Sequence, residues 1–431
     1  MKHTTAPFTL RCLDTGDTYD PSEVRYRSDH GALLEVVHEL DALDPDTLRA
    51  TWDERLGGLG GVDRSGVWRY RELVIPVEPT AAITMNEGST PLYCSEKLSA
   101  YTGVEALTLK HEGQNPTGSF KDRGMVAGIT AARLLGQTAV ACASTGNTSA
   151  SLAAYASAAN MRGLVFIPAG GIALGKLAQA LAYDASVIQI DGNFDDAMRL
   201  VQEVCAQHAV YLLNSINPFR IEGQKTIGFE ILHELRWNVP DWIVVPGGNL
   251  GNSSAIFKGL AELLAIGVID RMPRFAVCQA AGAAPLYHGY LDDFAGPART
   301  VERPETLATA IKIGSPVSWP KCVKAIRESR GVVTSVTDDE IMHAKRAVDG
   351  AGIGAEPASC ASVAGLRKLV NEGVIKQHER CTCVLTGHVL KDPDAVLREH
   401  APGGAIDGLP VCAPTLDGVS EAVARAIEGG G

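Results

Sequence analysis

The sequence has no apolar run long enough to cross a bilayer. Its apolar stretches, such as those at 139–143 and 243–246, are much shorter than the ~20 residues that span a membrane. The opening residues, MKHTTAPFTLRCLDTGDTYD, are polar and lack the basic region followed by an apolar run that a secretory signal contains. We therefore expect a cytoplasmic protein with no membrane partner.

Positive charge is also scarce, and the cysteines do not form a disulfide framework. The 39 Lys and Arg residues are outnumbered by 50 Asp and Glu residues, for a net charge of -11. This balance argues against nucleic acid as a partner, because a phosphate backbone requires a basic protein face. The ten cysteines are scattered, as is typical of a reducing compartment. Cys381 and Cys383 fall on one face of a strand rather than in a zinc knuckle, so we expect no metal.

Apolar strand-like runs alternate with helical patterns from about residue 123 onward in this chain of 431 residues. One set is TAVACA, GLVFIP, SVIQI and VYLLN, and a second is DWIVVP, RFAVCQA, GVVTSV and CTCVLT, with helices such as 338–349 and 357–371 between. Alternation of this kind is typical of parallel sheets with helices on their faces. We predict an α/β fold with two domains of open parallel or mixed sheets and a cleft between them. Residues 1–81 lack the alternation and form an extension.

A lysine at the start of a predicted helix is the strongest chemical signal. In LKHEGQNPTGSFKDRGM (109–125), the turn-forming residues Asn115 to Gly118 place Lys121 at the start of the helix. An aldehyde cofactor requires one amine in fixed geometry that forms a Schiff base, leaves it, and then moves protons at the substrate carbons. Taken alone, Lys121 would be assigned to the protein surface, where most lysines lie.

Two further segments have the composition of ligand-binding loops. ASTGNTSAS (143–151) follows a strand and opens a helix, so its backbone N–H groups and the Asn147 side chain face any ligand in front of them. Ordinary helix capping explains the same residues. VPGGNLGNSS (245–254) follows another strand, and its small residues let backbone amides approach a phosphate. It lacks the Lys-Ser/Thr ending of a P-loop and does not fit a dinucleotide fingerprint.

Thr386 follows the last predicted strand, CTCVLT. Ligands of open parallel sheets bind at the carboxyl ends of strands. A hydroxyl there can hydrogen bond to a pyridine nitrogen without protonating it, which would make the ring a milder electron sink. An ordinary turn residue after a strand is the alternative interpretation.

Seven segments together carry a resemblance to a known family. EGSTPL, NPTGSFKDRG, ASTGNTSAS, SINPFRIEGQKT, VPGGNLGN, EPASCASVAGL and LTGHVLKDP resemble, in order, the motifs of the threonine synthases, which are pyridoxal-phosphate (PLP) enzymes of fold type II. The stretch LRCLDTGDTYDPSEVRYRSDHGALLEVV is similar to the N-terminal extension of that family. The resemblance implies that Lys121 forms the Schiff base, Phe120 lines the cofactor ring, Asn147 meets the 3′ oxygen, and Thr386 meets the ring nitrogen. It also implies a phosphate loop made of Gly247, Gly248, Asn249, Leu250, Gly251 and Asn252.

The same resemblance implies a substrate, a reaction and a domain division. The implied reaction converts O-phospho-L-homoserine and water to L-threonine and phosphate by γ-elimination and β-addition, in a homodimer. The implied substrate residues are Ser144, Thr145, Asn214, Ser215 and Arg220, and the planar fork of an arginine suits phosphate. The expected domains are an extension over 1–81 with a degenerate zinc-ribbon-like start, a large domain over 82–121 and 221–431, and a small domain over 122–220.

Three departures from the family pattern keep alternatives open. Only Cys12 remains of a set of four zinc-binding cysteines, with Thr15 and Ser28 near two of the other positions. Gly171 stands where a lysine is frequent, and Val389 where a glycine is usual. A related PLP enzyme with another nucleophile or phosphoamino acid, a threonine or serine dehydratase, and a PLP-binding protein without catalysis are the competing interpretations, in falling order.

Overall fold

The structure is a computed structural model that describes residues 7–58, 60–169, 174–192, 194–400 and 411–428. It divides into two compact units, residues 1–391 and residues 392–431. The strands are β1 (Phe8–Cys12), β2 (Thr18–Tyr19), β3 (Leu34–His38), β4 (Leu92–Cys94), β5 (Ala106–His111), β6 (Ala139–Ala143), β7 (Arg162–Pro168), β8 (Ser186–Ile190), β9 (Tyr211–Leu212), β10 (Trp242–Pro246), β11 (Arg274–Ala280), β12 (Val332–Val336) and β13 (Arg380–Leu385).

The α-helices of the first unit are α1 (Pro45–Leu56), α2 (Glu96–Thr102), α3 (Lys121–Leu134), α4 (Asn147–Ala158), α5 (Leu174–Ala182), α6 (Phe194–His208), α7 (Phe219–Glu234), α8 (Gly251–Ile266), α9 (Pro285–Leu291), α10 (Trp319–Glu328), α11 (Asp338–Gly350) and α12 (Pro357–Asn371). Short 3-10 turns lie at Gly61–Arg64, Trp68–Leu73, Glu112–Gln114, Ala281–Ala283, Thr309–Ile311 and Val389–Lys391. None of the described helices combines the length and the apolar character that a bilayer crossing requires.

The larger sheet has six strands in the order β12-β11-β10-β13-β5-β4. All neighbours are parallel except β4, which runs antiparallel to β5 at the edge. Every residue of β10, WIVVP, is buried, because helices cover both faces of a parallel sheet. The carboxyl ends of β10 and β13 therefore lie side by side, and the segments that follow them meet at one edge.

The smaller sheet has four parallel strands in the order β8-β7-β6-β9. Its strands coincide with the four runs of the first predicted set, and those of the second set form β10, β11, β12 and β13. These strand predictions and the α/β fold class are confirmed. The domain boundaries stay a prediction, although the small sheet lies wholly within 122–220.

Residues 7–58 contain a small antiparallel sheet that the sequence did not predict. Its order is β2-β1-β3, and β3 alternates buried and half-buried residues, as a strand with one covered face does. Helix α1 follows, with Asp44 accepting a hydrogen bond from the Thr47 amide and with Pro45 in its first turn.

Helices α3, α7 and α8 pack closely because glycines stand at their contacts. A Cβ on Gly223 of α7 would lie 1.8 Å from the Arg123 carbonyl oxygen of α3. A Cβ on Gly259 of α8 would lie 2.9 Å from the Lys225 carbonyl oxygen of α7. This packing fixes the first turns of α3 and α7, where Lys121 and Arg220 lie.

The second unit contains α13 (Pro393–His400) and α14 (Leu416–Glu428). Within α14, the apolar side chains of Leu416, Val419 and Val423 are exposed. The predicted extension of the large domain to residue 431 stays a prediction.

Candidate active site

The loop before α3 is held by its own side chains and by the segment after β13. Thr117 donates from its backbone amide and its hydroxyl to the two carboxylate oxygens of Asp122, at 2.7 and 2.5 Å. Gly118 takes a positive φ of 85° and donates to the Asn115 carbonyl, which closes the turn at 2.8 Å. The Phe120 amide donates to the Thr386 carbonyl at 3.0 Å. Lys121 therefore leaves a constrained turn beside the carboxyl end of β13.

Lys121 is half-buried and lies in an environment that disfavours its charge. Burial, together with the positive charge of Arg220, lowers the pKa of the Lys121 amine to about 7, and the negative charge of Glu356 acts in the opposite direction. Its Nζ lies 4.2 Å from the centroid of the Phe120 ring. None of the ion pairs among the described residues includes Lys121. A neutral amine is thus accessible near neutral pH, as nucleophilic attack on an aldehyde requires.

Thr386 is buried, with its hydroxyl 3.0 Å from the hydroxyl of Ser359. Ser359 lies in the first turn of α12 and accepts a hydrogen bond from the Gly387 amide at 2.8 Å. Two elements thus fix the Thr386 side chain. The Thr386 carbonyl binds the loop before Lys121, so these two predicted residues are brought together.

Asn147 opens α4 directly after the loop that follows β6. Its amide nitrogen donates toward the two carboxylate oxygens of Glu356, at 3.3 and 3.4 Å. Glu356 is the N-cap residue of α12, and its backbone amide donates to the Gly387 carbonyl at 3.1 Å. Glu356 therefore connects Asn147, from the smaller sheet, with the segment that carries Thr386 in the larger sheet.

The glycine-rich loop after β10 leads into α8 with little room for side chains. A Cβ on Gly247 would lie 2.7 Å from Cγ1 of Val277, and one on Gly248 would lie 3.0 Å from Cα of Ile311. Leu250 takes a positive φ of 63° just before the helix. Asn252 is buried, and neither Nδ2 nor Oδ1 of its side chain has a partner among the described residues. A loop of this kind has an anion-binding character.

Two other residues of the loop differ in what they can offer to a ligand. The Asn249 side chain accepts a hydrogen bond from the Val317 amide at 2.7 Å, so its oxygen supports the loop before α10. Gly251 faces Gln224 of α7, whose Oε1 would lie 3.8 Å from an added Cβ. That Oε1 also lacks a partner among the described residues. Gln224 lies in the segment SINPFRIEGQKT, but its residue type alone does not signal a role at the site.

Arg220 is a buried cation on the first turn of α7. Its Nη1 donates to the Leu213 carbonyl at 3.0 Å, and its Nε has no partner among the described residues. Burial lowers the pKa of Arg220 to about 10. Its charge acts directly on Lys121. A buried guanidinium that is only partly hydrogen bonded has the features of an anion ligand.

The remaining predicted substrate residues lie at the carboxyl edge of the smaller sheet, where β6 and β9 are neighbours. The side chain of Asn214 binds the backbone of β6, because it accepts from the Ala143 amide at 2.9 Å and donates to the Ala143 carbonyl at 3.0 Å. Ser144 and Thr145 are half-buried, as is Ser215. The Ser144 hydroxyl accepts from the Gly146 amide at 3.2 Å.

The residues that depart from the family pattern lie in different surroundings. Val389 packs against Gly354, where an added Cβ would lie 3.3 Å from the Val389 Cβ. Gly171 lies outside the described residues. Cys12 is kept close to Thr15 and Ser28, whose hydrogen bonds lower the pKa of its thiol to about 7. The positions of the degenerate ribbon thus remain grouped, with one thiol among them.

One group of described residues has the spacing of metal ligands. The ligand atoms of His38, Glu222 and Glu262 all lie within 4.8 Å of one another. Lys225 already lies 2.5 and 2.6 Å from these two carboxylates, and Lys258 lies 2.5 and 2.8 Å from them. Because two ammonium groups neutralise the carboxylates, we assign this group, the α7–α8 ionic cluster, a structural role.

A cavity of about 570 Å³ lies at the opposite, amino-terminal end of the larger sheet. Its lining includes Leu107, Leu235, Arg380 and Thr382, and none of the predicted site residues. Because ligands of open parallel sheets bind at the carboxyl ends of strands, we place the candidate site around Lys121 rather than in this cavity.

Comparisons with known proteins give the family of the chain. The family described as "Pyridoxal-phosphate dependent enzyme" matches residues 83–387. The chain is 47% identical over 392 residues to the threonine synthase of Methanocaldococcus jannaschii, which covers 90% of this chain and 94% of that protein. It is 47% identical over 419 residues to the threonine synthase of Methanosarcina acetivorans, with 96% and 98% covered. The crystal structure of threonine synthase from Escherichia coli has a TM-score of 0.68 at 17% identity, covers 97% and 100% of the two chains, and so shares the fold.

Proposed function

Because the chain belongs to the threonine synthase family of pyridoxal-phosphate dependent enzymes, we propose that it converts O-phospho-L-homoserine and water to L-threonine and phosphate. It has the fold type II architecture, and PLP is its cofactor. The proposal for the site depends on the environment of Lys121. Its amine has a lowered pKa, lies at the carboxyl edge of the sheets, and is next to a buried arginine that no carboxylate pairs with among the described residues.

The residues of the site fit this cofactor. PLP supplies an aldehyde that condenses with an amine and a ring that withdraws electrons from the carbons next to that amine. Lys121 provides the amine, and the unpartnered side chain of Asn252 lies in a loop suited to the cofactor phosphate. Phe120 and Asn147 are proposed to hold the ring face and the 3′ oxygen. Backbone amides of Gly247, Gly248, Asn249, Leu250 and Gly251 complete the phosphate site.

Lys121 is proposed to move the protons of the reaction. An amine with a pKa of about 7 takes and returns protons with equal ease near neutral pH. It removes the proton from Cα of the substrate and later one from Cβ, while the phosphate leaves from Cγ. A proton returned at Cγ then shifts the double bond to Cα and Cβ, water adds at Cβ, and a proton returned at Cα completes threonine.

Arg220 and Ser215 are proposed to hold the substrate phosphate, with Ser144 and Thr145 near the substrate carboxylate. Arg220 presents a buried guanidinium with an unpartnered Nε. For Asn214, which binds both backbone groups of Ala143, we propose an indirect contribution through the edge of β6. The Thr386 hydroxyl is proposed to hydrogen bond to the ring nitrogen, which it cannot protonate.

One assay tests this function. Purified protein is given O-phosphohomoserine or O-phosphoserine in parallel, with and without added nucleophiles, and products are identified by mass. We expect threonine and equimolar phosphate from O-phosphohomoserine with water alone, and no turnover by Lys121→Ala. Ammonia and a keto acid would indicate a dehydratase, and dependence on an added nucleophile would indicate a replacement enzyme. Cofactor binding without any turnover would indicate a non-catalytic protein.

The assembly and location are proposals as well. A homodimer is expected from the family and a cytoplasmic location from the sequence. Light scattering of the holoenzyme tests the first, and a monomer would contradict it.

A further inference from the structure

Glu356 is a buried carboxylate to which the sequence assigned no task. It is 5% exposed and is the N-cap residue of α12, and a Cβ on Gly387 would lie 2.3 Å from its Oε1. The carboxylate therefore lies over Gly387, next to Thr386. Position 387 must be glycine for the carboxylate to keep this place.

Its contact with Asn147 fixes the orientation of an amide. The Asn147 amide nitrogen lies 3.3 and 3.4 Å from the two oxygens of Glu356. Since an ionised carboxylate only accepts hydrogen bonds, the nitrogen and not the oxygen of the amide must face it. The amide nitrogen carries two hydrogens, so one remains for a second acceptor such as the 3′ oxygen of the cofactor.

Its charge acts on the catalytic amine. Glu356 favours the charged forms of Lys121, from α3, and of Lys391, after β13, where Asp122 acts in the same direction. Arg220 opposes this effect at Lys121. Glu356 is the described carboxylate that supports positive charge on the Lys121 nitrogen.

We propose that Glu356 is a positioning residue for the proposed reaction: it directs the amide nitrogen of Asn147 toward the cofactor and stabilises positive charge on the Lys121 nitrogen once that nitrogen carries the cofactor. This inference rests on the proposed function. The N-terminal end of α12 would then support two residues of the site. Glu356 contacts Asn147, and Ser359 contacts Thr386.

The test compares three variants by a pH titration of the visible absorbance of bound cofactor, without substrate. Glu356→Gln keeps an acceptor for Asn147 and loses the charge, so its titration midpoint falls by about one pH unit relative to wild type. Glu356→Asp keeps the charge and withdraws from Asn147, so its midpoint stays near wild type while its affinity for cofactor falls about 10-fold. Glu328→Gln, which removes an exposed charge on α10, changes neither value.

The outcomes separate this inference from the function on which it rests. A Glu356→Gln midpoint equal to that of wild type overturns the inference, as does a Glu356→Asp midpoint that falls as far as that of Glu356→Gln. If Glu356→Gln fails to retain cofactor, retention by Glu356→Asp with a wild-type midpoint shows that the negative charge is required and supports the proposal, whereas loss of cofactor from both variants overturns it. A wild-type protein without cofactor absorbance, or absorbance that survives in Lys121→Ala, contradicts the proposed function instead.

Discussion

Two groups of cations meet at helix α7 and differ in their partners: Lys225 with Lys258 of α8, and Arg220 with Lys121 of α3. Lys225 and Lys258 of the α7–α8 ionic cluster each contact both Glu222 and Glu262. Arg220, one turn earlier, and the neighbouring Lys121 pair with no carboxylate among the described residues. Burial lowers the pKa of Lys225 as it does that of Lys121, but two carboxylates oppose the effect on Lys225. Unpaired buried charge costs stability, so it is retained where an anion or an aldehyde is to bind.

Replacing Lys225 breaks the paired group and gives the largest effect on stability. Lys225→Met leaves Glu222 and Glu262 with one ammonium between them, so the free energy of unfolding falls by about 3–5 kcal/mol. Chemical denaturation of the holoenzyme measures it. The matched control is Lys324→Met, which removes an exposed lysine 3.9 Å from Glu328 and changes stability by no more than ~0.5 kcal/mol. Equal effects of the two variants would show that the ionic cluster is not structural.

Replacing Arg220 in the unpaired group affects substrate binding more than stability. Arg220→Ala removes a charged donor to the proposed substrate phosphate, so KM for O-phosphohomoserine rises about 10- to 100-fold. Arg220→Lys keeps the charge without the planar fork and recovers part of the loss. Initial rates across substrate concentrations measure both, with cofactor content as the control. Full activity of Arg220→Ala would favour a dehydratase.

Replacing Lys121 reverses the sign of the effect seen at Lys225. The pKa of the Lys121 amine is about 7 in the fold and 10.5 when unfolded. Between these two pH values the unfolded chain therefore binds more protons than the folded chain. The loss of stability caused by burying the Lys121 amine is largest below the pKa of the folded state. In cofactor-free protein, Lys121→Met should raise the free energy of unfolding at about pH 6. The expected gain is only about 1 kcal/mol, because solvent screens the charge of a half-buried amine. The gain should shrink toward about pH 9, and thermal unfolding at both pH values measures it. A loss of stability at both would make Lys121 a structural residue.

The regular part of the fold could be predicted from the sequence, because apolar strands in a parallel sheet have a strong local pattern. The runs DWIVVP and CTCVLT are strands, and the helix predicted at 357–371 is observed over those residues. The sheet of β1, β2 and β3 was missed because its strands are short and their order depends on contacts between distant residues.

The candidate site was predictable only where a residue type signals its chemistry. A lysine after a tight turn and a glycine-rich loop after a strand are such signals, and Lys121 and Gly248 carry them. Glu356, Ser359 and Gln224 carry none, because a buried polar side chain acts through neighbours that only the fold brings to it. The predicted role of Asn214 at the substrate stays a prediction, and the fold adds that its amide also binds the backbone of Ala143.

The proposed covalent bond between Lys121 and the cofactor can be measured directly. The holoenzyme is reduced with borohydride and digested, and the modified peptide is sequenced by mass spectrometry. We expect one cofactor-derived mass, carried by Lys121 in the peptide around NPTGSFKDRG. Attachment at another lysine such as Lys225, or no attachment in protein that retains its cofactor, would contradict it.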